Sequence, residues 1–461
     1  MKSILHIFIV ITSLFSAAVC FTTLQYTAFS ALFILPLTYL ISYFFIYRLT
    51  EICPRNYITI NMVVVMLWLR MVLTPMYGTQ SNMFIIDSAS LSEYSELAIL
   101  LCIYEAFAIC LTLYLICRPS NNIKSVPISL RGNPNAYWIL IVIAILVFLA
   151  IGRHMGLFEF GVKEIGEDIE REGDIVDTRS LIVRSIISSG YLFLFFVVVE
   201  KLRTQYEYTH KSKYINYCII LAILMVCIIV GERRTAQLYI AFASCWLLIR
   251  LFPYQKRSII SFVGGAAVIV LSIMTIYKQF HAFLYGSYIE ALQNTSISKG
   301  MSPELLDAYF YGIDTIIKNI SYGKVANLDI GNLLYDFVRS TFGLHFFFKS
   351  DGLLTSQAYN MYIYSGNQTT GLLISSIGYG YIYFGFILAP IFTCINLIIM
   401  CSIEKRMRIC DSIEMTYIWA FIFMRFAFGF LGAIPALISN VTRILITNGG
   451  IYILARYILK K

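Results

Sequence analysis

Apolar runs long enough to cross a bilayer recur from one end of this chain to the other, and that repetition constrains its fold more than any motif. A transmembrane helix needs about 20 consecutive apolar residues. Runs of that kind read as twelve spans, at roughly 4–20, 29–47, 57–76, 97–117, 137–152, 182–200, 214–230, 235–252, 258–277, 372–400, 413–432 and 438–456. Composition agrees. Of the 461 residues, 59% are hydrophobic and 13% charged, with a mean hydropathy of +0.76; a soluble domain carries about 25% charged residues. The expectation is an all-α polytopic membrane protein, one transmembrane domain over 1–461 with a large, partly helical extracytoplasmic loop. The 372–400 run is long for a single helix and is expected to tilt or to begin outside the hydrocarbon. Residues 1–20 resemble a signal peptide in Lys2, an apolar core and "SAA". No polar region follows and a second apolar run starts at Ala31, so they read as an uncleaved first helix.

Orientation follows from Lys and Arg in the short connections. With the N-terminus inside, the inner segments hold Lys2; Arg48 and Arg55; Arg118, Lys124 and Arg131; Lys201, Arg203, Lys211 and Lys213. They continue with Arg250, Lys256 and Arg257; Lys405, Arg406 and Arg408; and Arg456, Lys460 and Lys461, nineteen of the 35 basic residues. The outer connections 21–28 and 77–96 hold none. Both termini are therefore expected in the cytoplasm, and the net charge of +9 is mostly topogenic, with no nucleic acid needed to explain it.

Two larger loops fall on the outer side. The first, 153–181, carries eight acids and four bases and reads as a solvated helix or flap, without an EF-hand ligand pattern. The second, 278–371, is nearly neutral, with six basic and seven acidic residues and seventeen Phe or Tyr. It reads as a cap lying against the membrane, with amphipathic helices such as 303–319. Its aromatics suit packing and interfacial anchoring, and also the apolar faces of sugar rings. The eleven cysteines avoid both loops, so no structural disulfide is expected. No CxxC, HExxH, Walker or GxGxxG pattern is present, no internal repeat stands out, and no metal or other cofactor is implied.

The informative residues are charges in places a bilayer excludes. An Arg near the middle of a span costs a few kcal/mol or more, which makes it a functional candidate by default. "GERRTAQLYI" at 231–240 puts Glu232, Arg233 and Arg234 in a tight turn between two apolar runs. Arg70, Arg153 with His154, Arg425 and Arg443 fall at a similar outer level. The alternative for Arg70, Arg153 and Arg443 is snorkelling to headgroups. A shared level suggests a cationic chamber open to the outer face. Guanidinium groups bind phosphate oxygens bidentately and stay charged at any cellular pH. A lipid-linked diphosphate presents that group at membrane depth, and its departure needs positive charge where negative charge develops. A hydroxyl attacking a sugar C1 also needs a carboxylate or His as base.

The layout resembles the Wzy-type O-antigen and oligosaccharide repeat-unit polymerases, with about a dozen spans and two outer loops, the second one large. "GERRTAQLYIAF" resembles the Gly-x-Arg that opens an inward-running helix in that family, and "GNQTTGLLISSIGYGYIYFGFILAPI" resembles its Gly-rich re-entry before an aromatic-Gly helix. The layout spans the whole chain; the motifs cover about forty residues and are degenerate. The resemblance implies a glycosyltransferase at the periplasmic face of the bacterial inner membrane. Such an enzyme moves a growing glycan from undecaprenyl diphosphate onto the next lipid-linked repeat, with a chain-length regulator as a candidate partner. Related enzymes use outer-face Arg residues and a large-loop His; the nearest counterpart here is "RSTFGLHFFFKSDG", with Arg339, His345 and Lys349. A packed structural His beside three Phe is the alternative. The candidate diphosphate ligands are Arg233, Arg234, Arg425, Arg443, Arg70 and Arg339, and the candidate acid–base groups are Glu232, His345 and His154. An O-antigen ligase, a flippase for lipid-linked oligosaccharide and a scaffold protein are the competing readings. The outer charge bias and the long loop argue against the flippase.

Overall fold

The computed structural model describes residues 2–52, 56–86, 92–117, 126–152, 158–160, 178–230, 235–279, 302–344, 352–369 and 371–458. Apolar length becomes helix almost everywhere. In chain order come α1 (Lys2–Leu24), α2 (Ile34–Ile52), α3 (Tyr57–Trp68), α4 (Thr74–Gln80), α5 (Ser95–Ile116) and α6 (Pro134–Val147). Next are α7 (Thr178–Thr209), α8 (Lys213–Cys227), α9 (Thr235–Leu251), α10 (Gly265–Gln279), α11 (Pro303–Phe310) and α12 (Ile313–Val325). The last six are α13 (Ile330–Ser340), α14 (Thr355–Ile363), α15 (Ser376–Leu388), α16 (Ile391–Ile409), α17 (Ile413–Gly429) and α18 (Ile434–Ile444). Among the described residues the only sheet is a two-stranded antiparallel ribbon of β1 (Phe158–Phe160) and β2 (Ile228–Val230).

Among the described residues, seven helical stretches are long and apolar enough to cross a membrane: Ile4–Leu24, Ser30–Ile52, Tyr57–Gln80, Ser95–Ile116, Pro134–Ile151, Ile182–Thr209 and Ile434–Tyr457. The pair α15–α16 makes an eighth when counted as one broken span. The chain is a polytopic, almost entirely α-helical membrane protein.

Three stretches depart from the sequence reading. The 372–400 run is not one tilted helix: α15 and α16 meet at a bend of 112°. Pro390 at the corner cannot continue a helix, and Gly385 inside α15 has φ +69°, open to glycine at little cost. The 214–230 run stops being helical at Cys227, and Ile228–Val230 pairs instead with Phe158–Phe160. β-branched residues favour that pleat, and Gln237 Nε2 donates to the Ile228 carbonyl at 3.3 Å. Finally, 303–319 is split by Tyr311 in the left-handed conformation into α11 and α12, which bury Asp307 and Asp314.

The chain divides into two compact units: Met1–Ile123, Met301–Lys405 and Phe426–Asn440 form the first, and Lys124–Gly300, Arg406–Arg425 and Val441–Lys461 the second. In the first, α1, α2, α3 and α5 share one core with α11, α12, α15 and α16, built on residues such as Tyr39, Ile60, Leu67, Ile109, Ile316 and Leu397. A wide π-turn at Leu69–Leu73 interrupts the span of α3 and α4, and the Val72 carbonyl accepts from Ser16 Oγ of α1 at 2.9 Å. The buried Glu404 of α16 accepts from the backbone N–H groups of Ile58 (3.1 Å) and Thr59 (2.8 Å), so a carboxylate meets the positive end of α3. The second unit uses the same device. Buried Glu414 accepts from Arg131 N–H (3.1 Å), Gly132 N–H (2.9 Å) and Tyr137 Oη (2.8 Å), which ties the start of α6 to the start of α17.

Candidate functional site

In the second unit three contacts fix a common direction. Leu130 N–H donates to Glu200 of α7 at 3.4 Å, Asn133 N–H to the Ala455 carbonyl at 3.1 Å, and Gly132 N–H to Glu414 of α17 at 2.9 Å. Hence α7, the Ile434–Tyr457 span and α17 each bring one end to segment 130–133. Ser189 Oγ donates to Asn448 Oδ1 at 2.7 Å, nearer the other end. Arg184 on α7 and Arg443 on α18 each lie five residues beyond that bond, so they share a level. Arg425 is eleven residues along α17 from Glu414, about 16 Å at a rise of ~1.5 Å per residue. Ser189 is equally far from Glu200, so Arg425 lies within about two turns of the same level.

Arg425 reaches the helix that follows Glu232, Arg233 and Arg234 in sequence. Its Nη1 donates to Tyr239 Oη at 3.1 Å, and its guanidinium lies 5.9 Å from the Tyr239 ring centroid. Tyr239 is on the second turn of α9, which begins at Thr235 directly after Arg234. At 15 and 17 residues, α8 and α9 span only ~22 and ~25 Å, less than the ~30 Å hydrocarbon thickness. Glu232, Arg233 and Arg234 thus lie in sequence between two helices shorter than that thickness. Those three residues, together with His154 and His345, lie outside the described residues.

The other two candidates belong to the first unit, and their named partners differ. Arg70 is only 2% exposed and its Nη1 donates to the equally buried Glu105 of α5, which also accepts from Thr393 Oγ1. Its charge is met inside the protein, which replaces the snorkelling alternative and sets Arg70 apart from the other arginines. Arg339 on α13 is half-buried and donates to Tyr335 Oη and, at 3.1 Å, to the Gly352 carbonyl.

Sequence reasoning passed over several groups. Arg184 obeys the same rule as the others, a charge inside an apolar span, and was legible by it. Its Nε is buried with no hydrogen-bond acceptor among the described residues. The acids of the large outer loop gave no signal, since a near-neutral count treats them as solvated. Asp336 is buried and accepts from Tyr379 Oη (2.7 Å), Tyr383 Oη (3.4 Å) and Thr355 N–H (3.0 Å), fixing α13 against the "GYGYIY" face of α15. Asp307 accepts from Thr315 N–H (2.8 Å), Thr315 Oγ1 (2.9 Å) and Asp314 N–H (3.4 Å), while Lys318 Nζ lies 2.6 Å from Asp314. Burial, reinforced by Asp314, pushes the Asp307 carboxyl up to about 7.

Fold and charges together define a polytopic α-helical membrane protein with cations set into its spans. No protein-family model, no curated protein and no solved structure matches the chain.

Proposed function

We propose that the chain is a membrane glycosyltransferase of the O-antigen polymerase kind. It joins undecaprenyl-diphosphate-linked oligosaccharide repeat units at the periplasmic face of a bacterial inner membrane. The reading includes a twelve-span topology with both termini cytoplasmic, in which 278–371 forms a cap. The observation that carries it is the meeting of Arg425 with Tyr239 on the helix that follows Glu232, Arg233 and Arg234 in sequence.

In this reading Arg233 or Arg234, with Arg425 and Arg443, holds the donor diphosphate. The acceptor hydroxyl attacks C1 of the donor's reducing-end sugar, the C1–O bond to the diphosphate breaks, and undecaprenyl diphosphate leaves with the electron pair. The hydroxyl proton passes to Glu232, His345 or His154. Fixed arginines stabilise the leaving group in place, without reorganising as it departs.

The test is purified protein in lipid nanodiscs given only a lipid-linked repeat unit. A ladder of products longer than one unit, without nucleotide sugar, supports transfer, and its absence in active lipid sinks it. Arg233→Ala and Arg234→Ala should each abolish long chains in a deletion host at unchanged protein level. If both variants make normal chains, the central site is wrong. A ligase is separated in the same host, because loss of a polymerase leaves single repeats on the lipid A core and loss of a ligase leaves none.

A further inference from the structure

The start of α15 gathers hydrogen-bond donors that nothing answers. Ser375, its N-cap, accepts from Gly378 N–H at 3.0 Å, and its own N–H and Oγ donate to Asn319 Oδ1 of α12 at 3.0 and 2.8 Å. A backbone N–H can only donate, so the amide atom it faces is the oxygen, and Asn319 Nδ2 is the donor on the other arm of the same group. That Nδ2 is buried with no hydrogen-bond partner among the described residues. The same holds for Oγ of Ser376, the first residue of α15, and for Oη of Tyr359 on α14. Asn319, Ser376 and Tyr359 are all fully buried. Burial raises the Tyr359 hydroxyl and the Asn319 amide pulls against that rise, which makes the two side chains neighbours.

Electrostatics decide the sign of what can meet these groups. The nine residues Ser376–Phe384 are helical before Gly385 breaks the run, and the N-terminal end of such a helix carries partial positive charge. An amide N–H has no lone pair to offer, so the group opposite it must accept. Of the acids that act on Tyr359, Asp314 is matched by Lys318 Nζ at 2.6 Å, and Asp307 already accepts from Asp314 and Thr315. Packing limits the size. A Cβ on Gly378 would come within 2.2 Å of Asn319 Oδ1, and one on Gly380 within 2.0 Å of the Ala389 carbonyl oxygen. Helices this close leave no room for a phosphate or a sugar, and a single atom is the occupant that suits them.

We propose that the start of α15 binds a monatomic anion, chloride under ordinary conditions, between Asn319 Nδ2, Tyr359 Oη and Ser376 Oγ. A helix N-terminus flanked by side-chain donors is an anion site by its dipole and its hydrogen bonds together. The ion pins α12 and α14 to the start of a helix that meets α16 at 112° beyond its other end. The inference is independent of the glycosyltransferase reading.

The test is retention of radioactive chloride by the full chain in detergent, with gluconate holding the ionic strength constant. The parent should retain a single chloride per chain, displaced by bromide and not by gluconate. Tyr359→Phe keeps the ring and removes one donor, and should weaken retention about tenfold. Asn319→Asp keeps an oxygen for Ser375 but sets negative charge where Nδ2 stood, and should abolish retention. Each variant is compared only where it elutes as the parent does. A parent that retains no chloride would leave these donors to water and overturn the proposal. Chloride held equally by the parent, Tyr359→Phe and Ser376→Ala would place the ion elsewhere, which overturns it as well.

Discussion

Asp307 and Gly312 leave no room for a side chain on the second residue: a Cβ there would come within 2.0 Å of Asp307 Oδ1. Gly312 is the N-cap of α12 and brings no side chain of its own, so the carboxylate of the preceding helix accepts from the N–H groups of Asp314 and Thr315. Gly312→Ala is therefore expected to force the two helices apart and destabilise the protein by about 1–3 kcal/mol. Thermal unfolding of the protein in one fixed lipid or detergent measures it; an unchanged midpoint would contradict the contact.

The same carboxyl predicts a pH dependence. With Asp307 raised from 3.8 to about 7, the native state binds more protons than the unfolded state between those two values. Stability then falls as pH rises through that window and levels off above it. Unfolding midpoints between pH 5 and 8 should decline in the parent and flatten in Asp307→Asn. A parent whose midpoint rises over that range would reverse the assignment.

Removing one partner of the Arg70–Glu105 pair strands a buried charge. Glu105→Gln should cost about 3–5 kcal/mol, and the double variant Arg70→Met with Glu105→Leu should recover most of it. Melting temperature and the yield of monodisperse protein report both. Equal losses in single and double variants would mean that the pair contributes nothing beyond its volume.

Arg425 and Tyr239 are expected to separate in the polymerisation assay. Arg425→Lys keeps the charge but loses the planar fork, and should slow ladder formation by about tenfold or more, some 1.4 kcal/mol. Tyr239→Phe removes only the hydroxyl that accepts from Arg425 and should cost less. Arg184→Gln should also slow the ladder, since Arg184 shares a level with Arg443. Full activity in Arg425→Lys would remove Arg425 from the diphosphate site.

Membrane-crossing helices were legible because hydropathy reports length, and length is what the bilayer demands. Direction was not. The 112° corner between α15 and α16 left only Gly385 and Pro390 as traces in an otherwise continuous apolar run. Ile228–Val230 was misread for a related reason: a short apolar β-branched segment suits helix or strand until its partner is known, and that partner, Phe158–Phe160, is about seventy residues away. Arg184 and Arg425 could be found by the cost of charge in lipid. Asp307, Asp314 and Asp336 could not, because their burial is created by helices that meet only in the folded unit.

The bond between Glu404 and the first turn of α3 sets a clock on biosynthesis. The carboxylate that closes that helix start is encoded 345 and 346 residues after Thr59 and Ile58. At ~5–20 residues per second it leaves the ribosome roughly 20 to 70 s later. Until then α3 sits in the membrane with its leading amides open to water or to chaperones. A ribosome that stalls before residue 404 releases a chain whose earliest spans are inserted but whose first unit is unfinished, a state for quality-control proteases to recognise.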